Sequence, residues 1–365
     1  MSRHEVRVAV SPGERRVALT RDGRLHLAAV ERPARPDGVG DLHRGRVTAV
    51  SKPMSGAFLA LHDGITAFLP ESEQPDRRAV HEGAILPIRV TRAPQGGKGP
   101  RVTARLTAAE IAAATGTGVA LIRRGPDAAL RFAAHAPEAP VIVDSAAEVA
   151  RLRGAGLAGS FGNAFDDDLE AEFDTLAGPE VPLPGGARLL IHPTPALTAI
   201  DVDAADPQRV NEAAMAEAAR HIRLRNLAGA ILLDAAGLTG RRRETLAAPL
   251  ERALAEDPLR PRLLGLTRLG LFEIQRSRVH PPLHEVLGWP SSPLTHGLAA
   301  LRRAAREAAA APGRALALRA HPGVLAAIQA LDGALAEFTA GAGRPLALRP
   351  DPSSSAGREV IEDAA

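Results

Sequence analysis

Three aspartates carry the most chemistry in this sequence. Asp201 and Asp203 stand two residues apart in LTAIDVD, and Asp234 ends the apolar run AGAILLD. Side chains two apart on a β-strand leave the same face, so the first two carboxylates point one way. The segments read as a strand (Leu197–Asp203), a helix (about Gln208–Arg225) and a strand (Ala228–Asp234). That order is a βαβ unit, whose strands run parallel and whose crossover is nearly always right-handed. If the two strands are neighbours, about 4.8 Å apart, Asp201 and Asp234 meet near the carboxyl ends, where open αβ sheets bind ligands. Carboxylates gathered there, with no basic partner in the local sequence, repel one another. A hard divalent cation relieves the repulsion: Mg²⁺ takes one or two carboxylates plus waters and phosphate oxygens, and such an ion polarises a phosphate and activates a water. The ordinary alternative is that strand-end aspartates cap helices or form turns, a role that suits Asp206 ahead of the helix at 208.

The elements that must position these groups follow from periodicity and turn chemistry. Glu5–Val10, Arg16–Leu19 and Arg24–Val30 read as a small antiparallel sheet, broken by Ser11-Pro12-Gly13 and by the hairpin signal Asp22-Gly23. A Pro/Gly-rich joint covers 31–41. Five short β segments follow, Gly45–Val50, Ala57–Leu61, Thr66–Leu69, Ala84–Thr91 and Arg101–Leu106, and fit a small barrel such as an OB-fold. Beyond Thr107 the pattern turns αβ, with helices at Pro126–Ala136 and Ser145–Ala155 around a strand at Val141–Asp144. Around the aspartates, a strand at Ala187–Ile191 comes first, and a helix (Arg241–Glu256) and a strand (Arg262–Thr267) come after. A last αβ segment holds helices at Gly297–Ala311 and Gly323–Ala342 and strands at Ala315–Arg319 and Pro345–Arg349.

Composition narrows the class. At 365 residues and 45% hydrophobic content the chain can build two or three cores. The formal charge is +3 while the pI is about 10.2, because nearly all the cations are arginine; Lys52 and Lys98 are the two lysines. Arginine suits bidentate contact with phosphate, although a GC-rich coding sequence by itself writes Arg, Ala, Gly and Pro freely. The absence of cysteine excludes disulfides and thiolate zinc sites. The opening MSRHEVRVAVSPGERR lacks the apolar run of a signal peptide, and no segment reaches membrane-spanning length. The expectation is a cytoplasmic protein with no membrane partner.

Several of these segments also resemble a known family. TPALTAIDVDAAD (194–206), ARHIRLRNLAGAILLD (219–234), LTRLGLFEIQRSRVHPPLHEVLG (266–288) and ALALRAHPGVLAAI (315–328) are similar to successive motifs of the ribonuclease E/G family. The resemblance implies an α+β, multidomain fold. In it an S1 (OB-fold) RNA-binding barrel over 37–106 is inserted in an RNase H-like subdomain, made of 1–36 and 107–180. A DNase I-like αβ catalytic subdomain follows over 181–288, then a small C-terminal αβ domain and tail over 289–365. It further implies a Mg²⁺-dependent endoribonuclease (Mn²⁺ a substitute) that hydrolyses phosphodiester bonds in single-stranded RNA. Asp201 and Asp234 would be the metal ligands. Within the barrel, Gly45–Val50, SGAFLAL (55–61), TAFLP (66–70) and GGKGPRVT (96–103) match the S1 pattern, and Phe58 and Phe68 match base-stacking positions. A chain with 8 Phe, one Trp and no Tyr places these two within eleven residues; the alternative is that a Phe in a short strand is core. Lys98 lies in a glycine-rich loop where backbone amides and a point charge can both reach phosphate.

The departures are as informative. Where the family carries a phosphate-contacting asparagine, this chain has Asp203, which either weakens substrate binding or joins the metal as a third ligand. The stretch from Asp203 to Asn211 is short for the family. No Arg-Thr-Ala run is present, and only about fifteen residues (107–121) follow the barrel where the family's 5′ sensor belongs, so cleavage is expected to be independent of the 5′-end phosphate. HEVLGWPSSPLTHG (284–297) has no Cys-Pro-x-Cys motif, so there is no structural zinc and the assembly is a monomer or homodimer, not a zinc-linked tetramer. Arg220, Arg223 and Arg225 close the helix before Asp234, where cations favour the helix dipole; structural support is the first reading for them. The competing functional class is a catalytically weakened or inactive member that serves as an RNA-binding protein.

Overall fold

In the first thirty residues apolar and polar positions alternate between tight turns, and three antiparallel strands result. They are β1 (His4–Ser11), β2 (Glu14–Arg21) and β3 (Arg24–Glu31). The computed structural model describes residues 3–237 and 240–364, and it divides into two compact units. One comprises the chain up to Pro36, Ala128–Ser277 and the chain from Pro282 on; the other comprises Asp37–Asp127 with Arg278–Pro281.

The second unit is the barrel. Strands β4 (Leu42–Ser51), β5 (Gly56–Ala60), β6 (Thr66–Pro70), β7 (Ile85–Arg92) and β8 (Arg101–Thr103) close into a ring. β4 pairs with β5, β5 with β6, β6 with β8 in parallel, β8 with β7, and β7 with β4. Inward positions Val47, Leu59, Leu69, Ile88 and Val102 fill it, and closure leaves none of the five with an open edge along its whole length. A short helix, α1 (Ala108–Ala113), starts with a Thr107/Glu110 capping box. β9 (Ala120–Arg123) then returns to pair with the start of β4. The residues after the barrel's fifth strand therefore stay with the barrel as far as Asp127.

In the first unit, α2 (Ala128–His135), β10 (Val141–Val143), α3 (Ala146–Gly154) and β11 (Ser160–Phe161) extend the N-terminal sheet to the order β11-β10-β1-β2-β3. Val6, Val8 and Leu19 meet Phe132 and Leu152 on one face, while Ala18, Leu25 and Ala28 meet Phe173 of α4 (Asp167–Asp174) on the other.

A second sheet of this unit carries the aspartates. β12 (Glu180–Pro182), β13 (Arg188–Pro193) and β14 (Thr198–Asp203) lead through α5 (Pro207–Leu224) to β15 (Gly229–Asp234). Next come α6 (Gly240–Glu244), α7 (Ala247–Leu254), β16 (Arg262–Leu266) and β17 (Phe272–Arg276), in the strand order β12-β13-β14-β15-β17-β16. The helix expected over Arg241–Glu256 is thus two. Pro249 has no N–H and fits only a first turn, which is where α7 holds it.

The C-terminal part adds α8 (Leu283–Leu287), α9 (Pro293–Ala310), β18 (Leu316–Ala320), α10 (Pro322–Gln329), α11 (Ala334–Ala342), β19 (Ala347–Pro350) and β20 (Val360–Asp363). Three strands in the order β19-β18-β20 share a core with α9, α10 and α11. The helix expected over Gly323–Ala342 breaks where Gly333 takes φ +81, and β20 adds an edge strand to β18 that the sequence reading did not assign.

Candidate active site

β14 is half-buried in strict alternation. Thr198, Ile200 and Val202 face the core, and Ala199, Asp201 and Asp203 face out. In β15, Ile231 and Leu233 are buried, so Asp234 falls on the outward phase. One face of the sheet is sealed by α5 and α7, through Ala214, Met215, Ala218, Ile222, Leu250 and Leu254. β14 and β15 pair in parallel, as the βαβ order predicts, and the register sets Asp201 directly beside Asp234. Both carboxylates leave the unsealed face at the carboxyl ends of adjacent strands. Two segments 33 positions apart in sequence thereby become nearest neighbours in the sheet.

Basic partners, absent from the neighbouring sequence, arrive through the fold. Arg243 of α6 donates to Asp234 Oδ1 at 3.0 Å, to the Gly270 carbonyl at 2.6 Å and to the Ala235 carbonyl at 2.9 Å. Gly270 stands at φ +84 in the β16–β17 turn, and a Cβ there would lie 2.9 Å from the Arg243 guanidinium, so a side chain at 270 would dislodge the arginine. On the other side, Arg188 opens β13 and is the register partner of Asp203, with Nη2 2.9 Å from Asp203 Oδ2 and Nη1 3.3 Å from Glu180 Oε1. Asp203 is therefore engaged with Arg188. Asp201 has no ion-pair partner among the described residues.

This donor set suits one kind of ion. Two register-paired carboxylates, one without a cation of its own, offer the one or two protein ligands that a small hard cation needs when waters and phosphate supply the rest. Among the described residues no group of three or more His, Asp or Glu gathers into a cage, so a binding mode with many protein ligands is not what this corner provides.

The arginines before Asp234 have a different role. Arg223 and Arg225 are 4% and 3% exposed. Arg223 donates to the His26 carbonyl, Arg225 to the carbonyls of Gly178 and Thr175 and to His221 Nδ1, and Arg220 to Glu172 and Glu217. Burial holds the Arg225 guanidinium down to about 10. These side chains bind the end of α5 to β3, to α4 and to the turn that follows α4. Asn211, 2% exposed, donates from Nδ2 to the Ala236 carbonyl at 2.9 Å and so joins the start of the same helix to the turn after Asp234. Asp206 occupies the N-cap position of α5.

The barrel presents its own outward face. Phe58 and Phe68 are register partners on β5 and β6, half-buried, with ring centroids 5.4 Å apart. Gly56 makes room for the second ring, since a Cβ there would stand 2.5 Å from Phe68 Cζ. Arg101 of β8 lies in register beside Phe68, and Arg92 of β7 beside Arg101. Neither arginine has an ion-pair partner among the described residues. Burial, with Arg101 and Arg278 nearby, pushes the Arg92 guanidinium down. Lys98 is exposed in a tight turn whose Gln95 and Lys98 amides bond each other's carbonyls, which leaves the ammonium, not those amides, for a ligand.

Sequence reasoning missed Arg188, Arg243, Arg92 and Arg101. Each looks like one more arginine in an arginine-rich chain, and only strand register or helix docking reveals its neighbour.

The comparison with known proteins selects the same segment. The ribonuclease E/G family pattern matches residues 163–279, which contain the whole carboxylate sheet. The likeness to the ribonuclease E/G family covers about a third of the chain. Over 121 residues it is 37% identical to ribonuclease E of Nostoc sp., covering 30% of this chain and 18% of that protein. It is 34% identical to ribonuclease E of Escherichia coli K12 over 128 residues, covering 32% of this chain and 12% of that protein. It is 32% identical to ribonuclease G of Haemophilus influenzae over 121 residues, covering 28% of this chain and 25% of that protein. The matched stretch thus spans a quarter or less of each of these ribonuclease E and G relatives.

Proposed function

We propose that this chain is an endoribonuclease that hydrolyses phosphodiester bonds in single-stranded RNA, with Mg²⁺ held by Asp201 and Asp234. The observation that carries the reading is the parallel register of Asp201 against Asp234 on the unsealed face of a family-matched sheet. A bound divalent ion would supply Lewis-acid polarisation of the scissile phosphate and a water of lowered pKa. The protein's part is placement. β14 and β15 fix the two carboxylates side by side, and Arg243 holds Asp234 against its backbone. Asn211 fixes the turn that follows. The barrel's Phe58, Phe68 and Lys98 bind the strand by stacking and charge, a mode that accepts any base.

Cleavage is read as independent of the 5′-end phosphate, and the assembly as a monomer or a homodimer formed without zinc, since the chain has no cysteine. A fluorescent single-stranded RNA tests the reading directly. Cutting with Mg²⁺, none with EDTA, and equal rates on 5′-monophosphate and 5′-hydroxyl substrates are expected. Binding without cutting under every divalent metal tried would replace the enzyme with an RNA-binding protein.

A further inference from the structure

The corner that holds Asp201 and Asp234 also holds a cation whose present contacts engage it only weakly. Arg188 opens β13, and the antiparallel register puts it directly across from Asp203 at the carboxyl end of β14. Its Nε and Nη2 lie 3.0 and 2.9 Å from a single Asp203 oxygen, and its Nη1 lies 3.3 Å from Glu180. The Arg188 and Asp203 side chains are 44% and 53% exposed. We propose that Arg188 is a substrate-binding residue that grips an RNA phosphate beside the carboxylate pair, and that Asp203 orients this guanidinium instead of ligating the metal. The proposal rests on the reading of this sheet as a nuclease site.

Comparison with two other arginines at this sheet supports it. Arg243, a second guanidinium at this corner, is 14% exposed and satisfies Asp234 and two carbonyls, so moving it would strip three acceptors. Arg276, at the far end of β17, is 4% exposed and paired with the 1%-exposed Asp257, so it is committed to the fold. Arg188 alone of these three has a half-exposed pair, the type whose net contribution is small, and can turn to a phosphate at little cost. A guanidinium carries five N–H donors in a planar fork that suits phosphate, and the contacts to Asp203 and Glu180 engage three of them.

The position is also the right one. Asp203 follows Asp201 by two residues on the same face, about 6.6 Å along the strand, which places the Arg188–Asp203 pair one phosphate's reach from the carboxylates. An RNA backbone arriving at three aspartates needs a mobile cation there. A carboxylate behind a guanidinium fixes its plane as a second layer of ligands does elsewhere.

The full chain, as wild type and as Arg188→Gln, Arg188→Lys and Asp203→Asn, tests the assignment with three readouts. These are cleavage kinetics, Mn²⁺ binding by calorimetry or electron paramagnetic resonance, and the salt dependence of RNA affinity in Ca²⁺. For Arg188→Gln we expect kcat/KM to fall about tenfold or more, Mn²⁺ affinity to stay within about twofold, and the salt slope to drop by about 0.7, the value for one phosphate contact on a single strand. Arg188→Lys should restore the slope but only part of the rate, because an ammonium keeps the charge and loses the fork. Asp203→Asn should leave Mn²⁺ affinity unchanged. The proposal is overturned if Asp203→Asn weakens Mn²⁺ binding about tenfold, or if Arg188→Gln leaves both kcat/KM and the salt slope untouched. A wild-type chain that never cuts would refute the nuclease reading instead, and the Mn²⁺ and salt readouts would still decide the roles of Asp203 and Arg188.

Discussion

The barrel and the carboxylate sheet use the same device and end with opposite surfaces. In both, period-2 alternation sends every second side chain outward while the rest builds a core. The barrel's outward row is Phe58, Phe68, Arg101 and Arg92, neighbours on successive strands. The sheet's outward row is acidic, and its cations, Arg188 and Arg243, come from a separate strand and a separate helix. The barrel face is suited to holding a polyanion of any sequence. On the proposed function, the sheet face repels a polyanion until a divalent ion and a guanidinium offset the carboxylates. The proposed function therefore makes binding and chemistry separable by mutation.

The largest effect should come from the acidic row. Asp201→Asn or Asp234→Asn is expected to lower cleavage at least about 10³-fold, since a metal contributes several kcal/mol to the transition state. RNA affinity, measured by fluorescence anisotropy, should stay within about twofold. Full activity in either variant would show that the carboxylate pair is not the catalytic centre.

A smaller loss should come from the aromatic row. Stacking contributes about 1–3 kcal/mol per base, so Phe58→Ala with Phe68→Ala should weaken RNA binding at least about tenfold, with the metal dependence of residual cleavage unchanged. Unchanged affinity with the fold intact by circular dichroism would assign both rings to the core.

The smallest effect concerns acid stability and sets the two units apart. Each buries an imidazole. His26 of β3 is held down to about 3 by burial and by Arg223 and Arg21. His43 of β4 is lowered by burial, but the Asp41 carboxylate opposes the shift. A histidine depressed on folding contributes stability that is fully present above its unfolded pKa, about 6.5, and that is lost as pH falls towards the folded value. Hydrogen exchange between pH 7 and pH 4 should therefore show the His26 unit loosening before the barrel. His26→Asn, which keeps an acceptor for Arg223, should reduce that difference, with the buried His221 of the same unit keeping its own share; an unaltered pH profile would remove His26 as a cause.

Much of this was legible in the sequence because it is local. The N-terminal hairpins followed from Ser11-Pro12-Gly13 and Asp22-Gly23, and the five barrel strands from short alternating runs. The βαβ order around Asp201 and Asp234 followed from a change of period. Where reading failed, a longer-range constraint had intervened. Gly333 broke a helix that composition would continue, and Pro249 restarted another. β9 and β20 formed because an existing strand offered an unpaired edge, which no local pattern announces.

The sequence by itself determined that carboxylates would end two parallel strands and that two phenylalanines would sit on short neighbouring strands. It also determined that no thiolate could bind zinc. Only the tertiary structure decided which charges meet. Asp203 faces Arg188 because β13 returns antiparallel in one particular register, and Asp234 is held because Gly270 leaves room for Arg243. Periodicity fixes the face a side chain takes, since that depends on backbone geometry one residue at a time. An ion pair depends on distance through space, and segments far apart in sequence acquire that distance only when the chain is folded.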